Sequence, residues 1–302
     1  MSTPYHVAVI GLGAMGMGAA RSCLRAGLTT YGIDLNEEAR NQLQQAGATA
    51  VMADARPLAE TLDAVLLLVV NATQVRRILL GEAGLARHLK PGTAIMVSST
   101  IAAEEASALA AELAQLGLPM LDAPVSGGAI KADAGEMTVM AAGADAAFDK
   151  LAPVLDAVAG KVYRVGSEPG QGSTVKIIHQ LLAGVHIAVA AEAMALASRA
   201  GVSLDLMYDV VTHAAGNSWM FENRMPRVLA GDYQARSAVD IFVKDLTLVA
   251  DTAKALRFPL PLASTALNMF LGASNAGYGQ EDDSAVIKIF SGIQLPGQEE
   301  LL

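Results

Sequence analysis

Two hydrophobic rhythms divide the chain. In the first half, short β-branched runs at 7–10, 29–33, 64–70, 94–97, 137–140 and 162–165 alternate with helical stretches such as 14–26, 37–45 and 102–116. Strand, helix and strand in repetition predict a mainly parallel sheet with helices on both faces. The run AVLLLVV at 64–70 lacks polar alternation, the pattern of a strand buried on both sides. From Gly172 onward the strand signal almost vanishes. Helices are expected at 173–200, 203–213, 219–229, 239–256 and 262–276, the first of them Ala-rich and stopped by Gly201. The Gly- and Pro-containing segment 166–172 separates the two patterns, so two domains are expected, 1–166 and an all-helical 167–302.

Composition narrows this picture. A length of 302 residues suits two domains, and 53% hydrophobic against 17% charged residues gives ample core and argues against disorder. A net charge of -9 is wrong for a nucleic-acid partner, because phosphate binding needs clustered Lys and Arg. The single cysteine, Cys23, cannot build an internal disulfide framework and lies in an apolar helical stretch, a place for a core residue. Residues 1–6 show no basic segment leading into an apolar run, so no secretory signal is expected. The most apolar window, 181–200, is interrupted by His186, Glu192 and Ser198, which favours a buried helix in a core or subunit interface over a membrane span. A cytoplasmic protein is expected.

The strongest local feature is VAVIGLGAMG at 7–16. A lone GxGxxG is weak, but this one follows a strand and opens a helix. Gly11 permits the tight turn, Gly13 lets backbone approach a pyrophosphate, and Gly16 lets helix and strand pack closely. The helix start, with Leu12, Ala14 and Met15 beside these glycines, offers unpaired N–H groups and a favourable dipole to phosphate. Asp34 closes the second strand, where a carboxylate accepts hydrogen bonds from ribose hydroxyls and repels a 2′-phosphate. Leu35 and Asn36 bring no arginine to neutralise such a phosphate. NAD is therefore expected over NADP, and the fold class is a Rossmann-type doubly wound sheet joined by a long interdomain helix to an all-α domain. A strand-end or helix-capping Asp is the plainer alternative for Asp34.

Two further segments carry candidate chemistry. In DAPVSGG at 122–128, consecutive small residues can aim backbone N–H groups into one concavity suited to a carboxylate, with the Ser126 hydroxyl as an added donor; a flexible turn is an equal alternative. In GQGSTVKIIHQ at 170–180, Lys176 and Gln180 share one helical face. A lysine one turn inside an apolar helix is unusual, although a snorkelling surface lysine is the commoner case. Asn217, Ser218 and Trp219 form a polar-aromatic cluster that could line a pocket or cap a helix. His179, His186 and His213 share no metal-ligand spacing, and no metal is expected.

These segments, in order, together with Lys244-Asp245-Leu246, resemble the β-hydroxyacid dehydrogenase family, which includes 3-hydroxyisobutyrate dehydrogenase and tartronate semialdehyde reductase. The match spans nearly the whole chain. The resemblance implies an NAD-dependent oxidation of a small hydroxy-acid with Lys176 as general acid/base. It implies a substrate carboxylate held by Ser126, Gly127 and Gly128, with Gln180 and Asn217 as further substrate contacts. Val70, Asn71, Thr100 and Lys244 join Gly11 to Gly16 and Asp34 as cofactor contacts. It also implies that the helical part builds a homodimer or homotetramer. Gln180 departs from the pattern, since the family usually places Asn four residues after the lysine. The stretches 11–19 and 176–186 point, within the family, to oxidation of a four-carbon polyhydroxy acid at C2. A sister activity in the same family is the alternative, and a dinucleotide sensor without catalysis is the alternative of another class; retention of Lys176 speaks against the sensor, and against an imine-reducing relative.

Overall fold

A computed structural model describes residues 4–296; the first three residues of the N-terminal stretch and the last six of the helical half lie outside the described residues. The chain divides into two compact units, with the division between Lys176 and Ile177.

Among the described residues the first unit carries a nine-stranded sheet. Its strands are β1 (His6–Ile10), β2 (Thr29–Ile33), β3 (Ala50–Met52), β4 (Ala64–Leu67), β5 (Ala94–Val97), β6 (Met120–Asp122), β7 (Val125–Ser126), β8 (Met137–Ala142) and β9 (Ala159–Gly166). The order β3-β2-β1-β4-β5-β6 is parallel throughout. Chain order reverses between β1 and β4, and a ligand crevice forms outside the carboxyl ends of strands at such a point. Beyond β6, β8 runs antiparallel to β6 and β7, and β9 pairs parallel with β8.

The helices of this unit are α1 (Ala14–Arg25), α2 (Glu37–Gln45), α3 (Ala72–Leu80), α4 (Ala103–Gln115), α5 (Gly128–Ala134) and α6 (Asp145–Val158). They bury the two sheet faces in separate cores. One gathers Val7, Val9, Leu66, Met96, Leu151 and Val154. The other gathers Ala8, Ile10, Val65, Leu67, Ile95 and Leu109. Alternate residues of β1 and β4 thus enter opposite cores, which is why both strands read as unbroken apolar runs.

The buried run 64–70 is strand only as far as Leu67. The Leu68 N–H still donates to the Ile10 carbonyl at 2.9 Å, but there β1 gives way to the Gly11 turn and the ladder loses its partner. Residues 68–70 leave the sheet as cleft lining.

The long helix α7 (Gln171–Arg199) crosses the division and leads into α8 (Leu204–Thr212), α9 (Trp219–Leu229), α10 (Val239–Ala255) and α11 (Pro261–Ala273). Gly201, at φ +76°, supplies the left-handed residue that stops α7. Helix α7 is long and apolar enough to cross a membrane, yet half of its most apolar window is buried within the protein. Ile187, Ala191 and Met194 pack there with Phe242, Leu246 and Phe270 in one core. Gly184 lets α7 approach α10, since a Cβ would stand 2.8 Å from the Leu246 side chain. A bidentate ion pair pins α9 to the 3₁₀ turn Asp283–Ile289, with Arg224 Nε and Nη2 at 2.7 and 2.9 Å from the fully buried Asp283 carboxylate.

Candidate active site

A cleft of about 680 Å³ opens at the carboxyl ends of β1, β2, β3 and β4. Gly11, Gly13, Asp34 and Val70 line it, as does Gln74. At Gly11, φ is +91° and a Cβ would lie 2.8 Å from the Leu68 carbonyl oxygen, so both turn and packing demand glycine. A Cβ on Gly16 would collide with the Gly11 carbonyl. At Gly13 the same atom would meet nothing within 4 Å, so its absence leaves room on the cleft side of the loop. That is the arrangement expected where backbone must meet a pyrophosphate. The buried hydroxyls of Ser98 and Ser99, beyond β5, have no hydrogen-bond partner among the described residues and are absent from the cleft's lining.

Asp34 is bound into this turn. Its Oδ2 accepts the Leu12 N–H at 2.6 Å and its Oδ1 accepts the Asn36 N–H at 2.8 Å. Asn36 caps α2 by accepting the Glu38 and Ala39 N–H groups. Asn71 similarly caps α3, accepting the Gln74 N–H at 2.9 Å, and is absent from the cleft's lining. The donor set suits a dinucleotide: open glycine backbone for the diphosphate, and a carboxylate at a strand end for ribose.

The segment 122–128 splits into two jobs. Ser126 belongs to β7, opposite Thr138 of β8, rather than to an irregular loop. Gly127 and Gly128, at φ +134° and +71°, turn the chain into α5, and Gly128 faces open space where a Cβ would stand. Asp122 points elsewhere. Fully buried, it accepts the Gly170 and Ser173 N–H groups at 2.7 and 2.8 Å on Oδ2 and the Ser173 hydroxyl at 2.7 Å on Oδ1. Burial raises its pKa, against the pull of the Ser173 and Gly170 donors. Asp122 therefore fixes the start of α7, and Lys176 follows one turn later, buried at 6% exposure. A buried lysine contrasts with the snorkelling alternative.

In the second unit, the Gln180 amide is held at both ends. Its Nε2 donates to Asp245 Oδ2 at 2.5 Å and its Oε1 faces His179 Nδ1 at 3.0 Å. Lys244 Nζ lies 2.7 Å from Asp245 Oδ1. Asn217 donates to Glu222 at 2.6 Å, and Glu222 lines a different concavity with Tyr208, Thr212 and Trp219. Ser218 caps α9 through the Phe221 N–H, and His213 sits exposed at the end of α8 against the Asp209 carbonyl. No group of three or more His, Cys, Asp or Glu residues among the described residues is placed to hold a metal ion.

Sequence reasoning assigned no role to Asp245, although its charge inside an apolar helix was a visible signal. It also missed Arg56 and Arg77, which line the cleft from positions remote in sequence from Asp34.

Comparisons with known proteins bear on the whole chain. The NAD binding domain of 6-phosphogluconate dehydrogenase matches residues 6–166, and the NAD-binding domain of NADP-dependent 3-hydroxyisobutyrate dehydrogenase matches residues 170–290. L-threonate dehydrogenase of Escherichia coli O6:H1 is 73% identical over 97% of this chain and 97% of its own length. The Cupriavidus necator L-threonate dehydrogenase is 56% identical over 98% of this chain and 99% of its own. The crystal structure of a 3-hydroxyisobutyrate dehydrogenase from Salmonella typhimurium superposes with a TM-score of 0.92 at 70% identity, covering 95% of this chain and all of that one.

Proposed function

The chain belongs to the 3-hydroxyisobutyrate dehydrogenase-like branch of the β-hydroxyacid dehydrogenases, and from that premise we propose that it oxidises L-threonate at C2 to the 2-oxo acid with NAD. The observation that carries the substrate is the 73% identity to an L-threonate dehydrogenase over nearly the full length of both chains. The retained lysine, buried beside an anchored helix start, supports catalysis over a sensor role.

Bound NAD supplies the hydride acceptor. The residues of this chain do the rest. Gly13, with Ala14 and Met15 at the helix start, would hold the diphosphate by backbone N–H groups, since the Gly11 N–H is spent on the Ile33 carbonyl, and Asp34 would receive the ribose hydroxyls. Ser126, Gly127 and Gly128 orient the substrate carboxylate. Lys176 takes the C2 hydroxyl proton at Nζ as hydride departs, and returns it in the reverse direction. Thr100 and Lys244 complete the cofactor contacts. Gln180, oriented by Asp245 and His179, receives a distal hydroxyl, and Asn217 is assigned a further one. Polar groups of this kind discriminate between substrates, because a substrate without the matching hydroxyl forgoes the hydrogen bond.

The same proposal makes residues 167–302 the substrate and oligomerisation part and the enzyme a cytoplasmic homodimer or homotetramer. Ile178, Leu182, Val189 and Leu196 support this: they are exposed and recur on one face of α7, a stripe suited to a second copy. Incubating the purified chain with L-threonate and NAD tests the activity: NADH must accumulate, and its absence would refute the assignment.

A further inference from the structure

The adenosine end of the cleft contains a cation that the motif around Asp34 does not reveal. The Asp34 N–H donates to the Met52 carbonyl at 3.2 Å, so the residues following β3 run alongside Asp34. Asp34, Asp54, Arg56 and Arg77 all line the same cleft. Arg56 opens the 3₁₀ turn Arg56–Leu58 and folds back onto Asp54. Its Nε and Nη2 lie 2.7 and 2.6 Å from Asp54 Oδ2, while its backbone N–H donates to Oδ1 at 3.0 Å. Arg40, the other arginine beside Asp34, is turned to backbone, with Nη1 at 2.8 and 2.9 Å from the Asp34 and Leu35 carbonyl oxygens.

We propose that Arg56 is a latent ligand for a 2′-phosphate and that Asp54 is a second NAD-selecting carboxylate, acting with Asp34. A guanidinium fork matches a phosphate bidentately, so a fork next to the adenosine ribose would favour the phosphorylated cofactor. Asp54 counters this in two ways: it occupies the fork, and its own charge opposes a second anion. The Arg56 guanidinium in turn holds the Asp54 carboxyl below the usual carboxylate range. Both side chains are nearly half exposed, so solvent screens the pair and its hold on Arg56 is weak. Removing Asp34 alone then leaves one repelling carboxylate in place. The inference rests on the cleft being the dinucleotide site.

Equilibrium binding of NAD and of NADP to the full-length chain, by calorimetry without substrate, tests it; the two probes differ only by the 2′-phosphate. The unmodified chain binds NAD. Asp34→Ser tightens NADP binding, and adding Asp54→Asn tightens it about fivefold further, the scale of one released exposed pair. Adding Arg56→Ala to that double variant loosens NADP about tenfold and NAD less than twofold, while Arg56→Lys keeps part of the gain because the charge stays but the fork is lost. If Arg56→Ala leaves NADP binding in the double variant within about twofold, Arg56 is no phosphate ligand and the proposal falls. If the unmodified chain binds neither dinucleotide, the cleft assignment falls and the proposal with it.

Discussion

The Asp122 carboxylate and the Ser173 hydroxyl meet at 2.7 Å, and that contact ties the carboxyl end of β6 to the first turn of α7. Together with the Gly170 and Ser173 N–H bonds it sets the register of the helix that carries Lys176. Asp122→Ala should strand three buried donors and destabilise the fold by about 2–4 kcal/mol, measured by denaturant melts, with turnover falling as Lys176 loses its support. Asp122→Asn can keep one amide oxygen accepting from the two N–H groups while its NH₂ donates to the Ser173 hydroxyl oxygen, so most stability should survive.

The same pair predicts a pH signature. Burial raises the Asp122 pKa above its ordinary 3.8, so between that value and the raised one the native state holds more protons than the unfolded chain. This group's contribution to stability therefore declines as pH rises through that window. Asp122→Asn removes the titration, and its stability relative to the parent should improve with rising pH there. A difference that worsens would contradict the assignment.

Lys176→Ala should lower turnover by about a hundredfold to ten-thousandfold while NADH affinity, measured by fluorescence titration, stays close to that of the parent. Near-normal turnover in this variant would remove Lys176 from the chemistry.

Gly13 and Gly16 should fail differently. A Cβ at Gly13 enters open cleft, so Gly13→Val should leave the thermal transition in place and abolish dinucleotide binding. A Cβ at Gly16 collides with the Gly11 carbonyl, so Gly16→Val should lower the melting temperature itself. Parallel thermal melts and NADH titrations separate the two outcomes.

The helical unit has its own test in Arg224. Arg224→Met leaves the Asp283 carboxylate buried and unpaired, a loss of about 3–5 kcal/mol in urea melts. Burial already pushes the Asp283 carboxyl up, against the pull of Arg224. Adding Asp283→Asn should recover much of the loss, since the cost lies in the stranded charge.

Much of this was legible in the sequence because it rested on local patterns. Short β-branched runs gave β2 and β5 residue for residue, and β1 within one, because such side chains favour extended, pleated backbone. Helices α2 and α9 likewise fell on the expected residues. What escaped depends on long-range pairing. β3 and β7 are three and two residues long and exist only through their neighbours β2 and β8. The turn from Ser126 into α5 resembles a loop until glycines at positive φ are seen to start a helix. Asp122 looked like part of a substrate loop because its partners, 48 and 51 residues away, carry no local sign. Cofactor choice was read from Asp34 and from the lack of an arginine at 35 and 36, whereas Arg56, which lines the same cleft, stands on the loop after β3.

The central claim is the substrate, and the measurement that tests it most directly is kcat/KM with NAD across L-threonate, D-threonate, D-erythronate, D-glycerate and 3-hydroxyisobutyrate. L-threonate should lead the panel, and loss of the distal hydroxyls should cost more than tenfold as their hydrogen bonds to the site are lost. A clear lead for 3-hydroxyisobutyrate or D-glycerate would contradict the account at its substrate while leaving the family and the fold untouched.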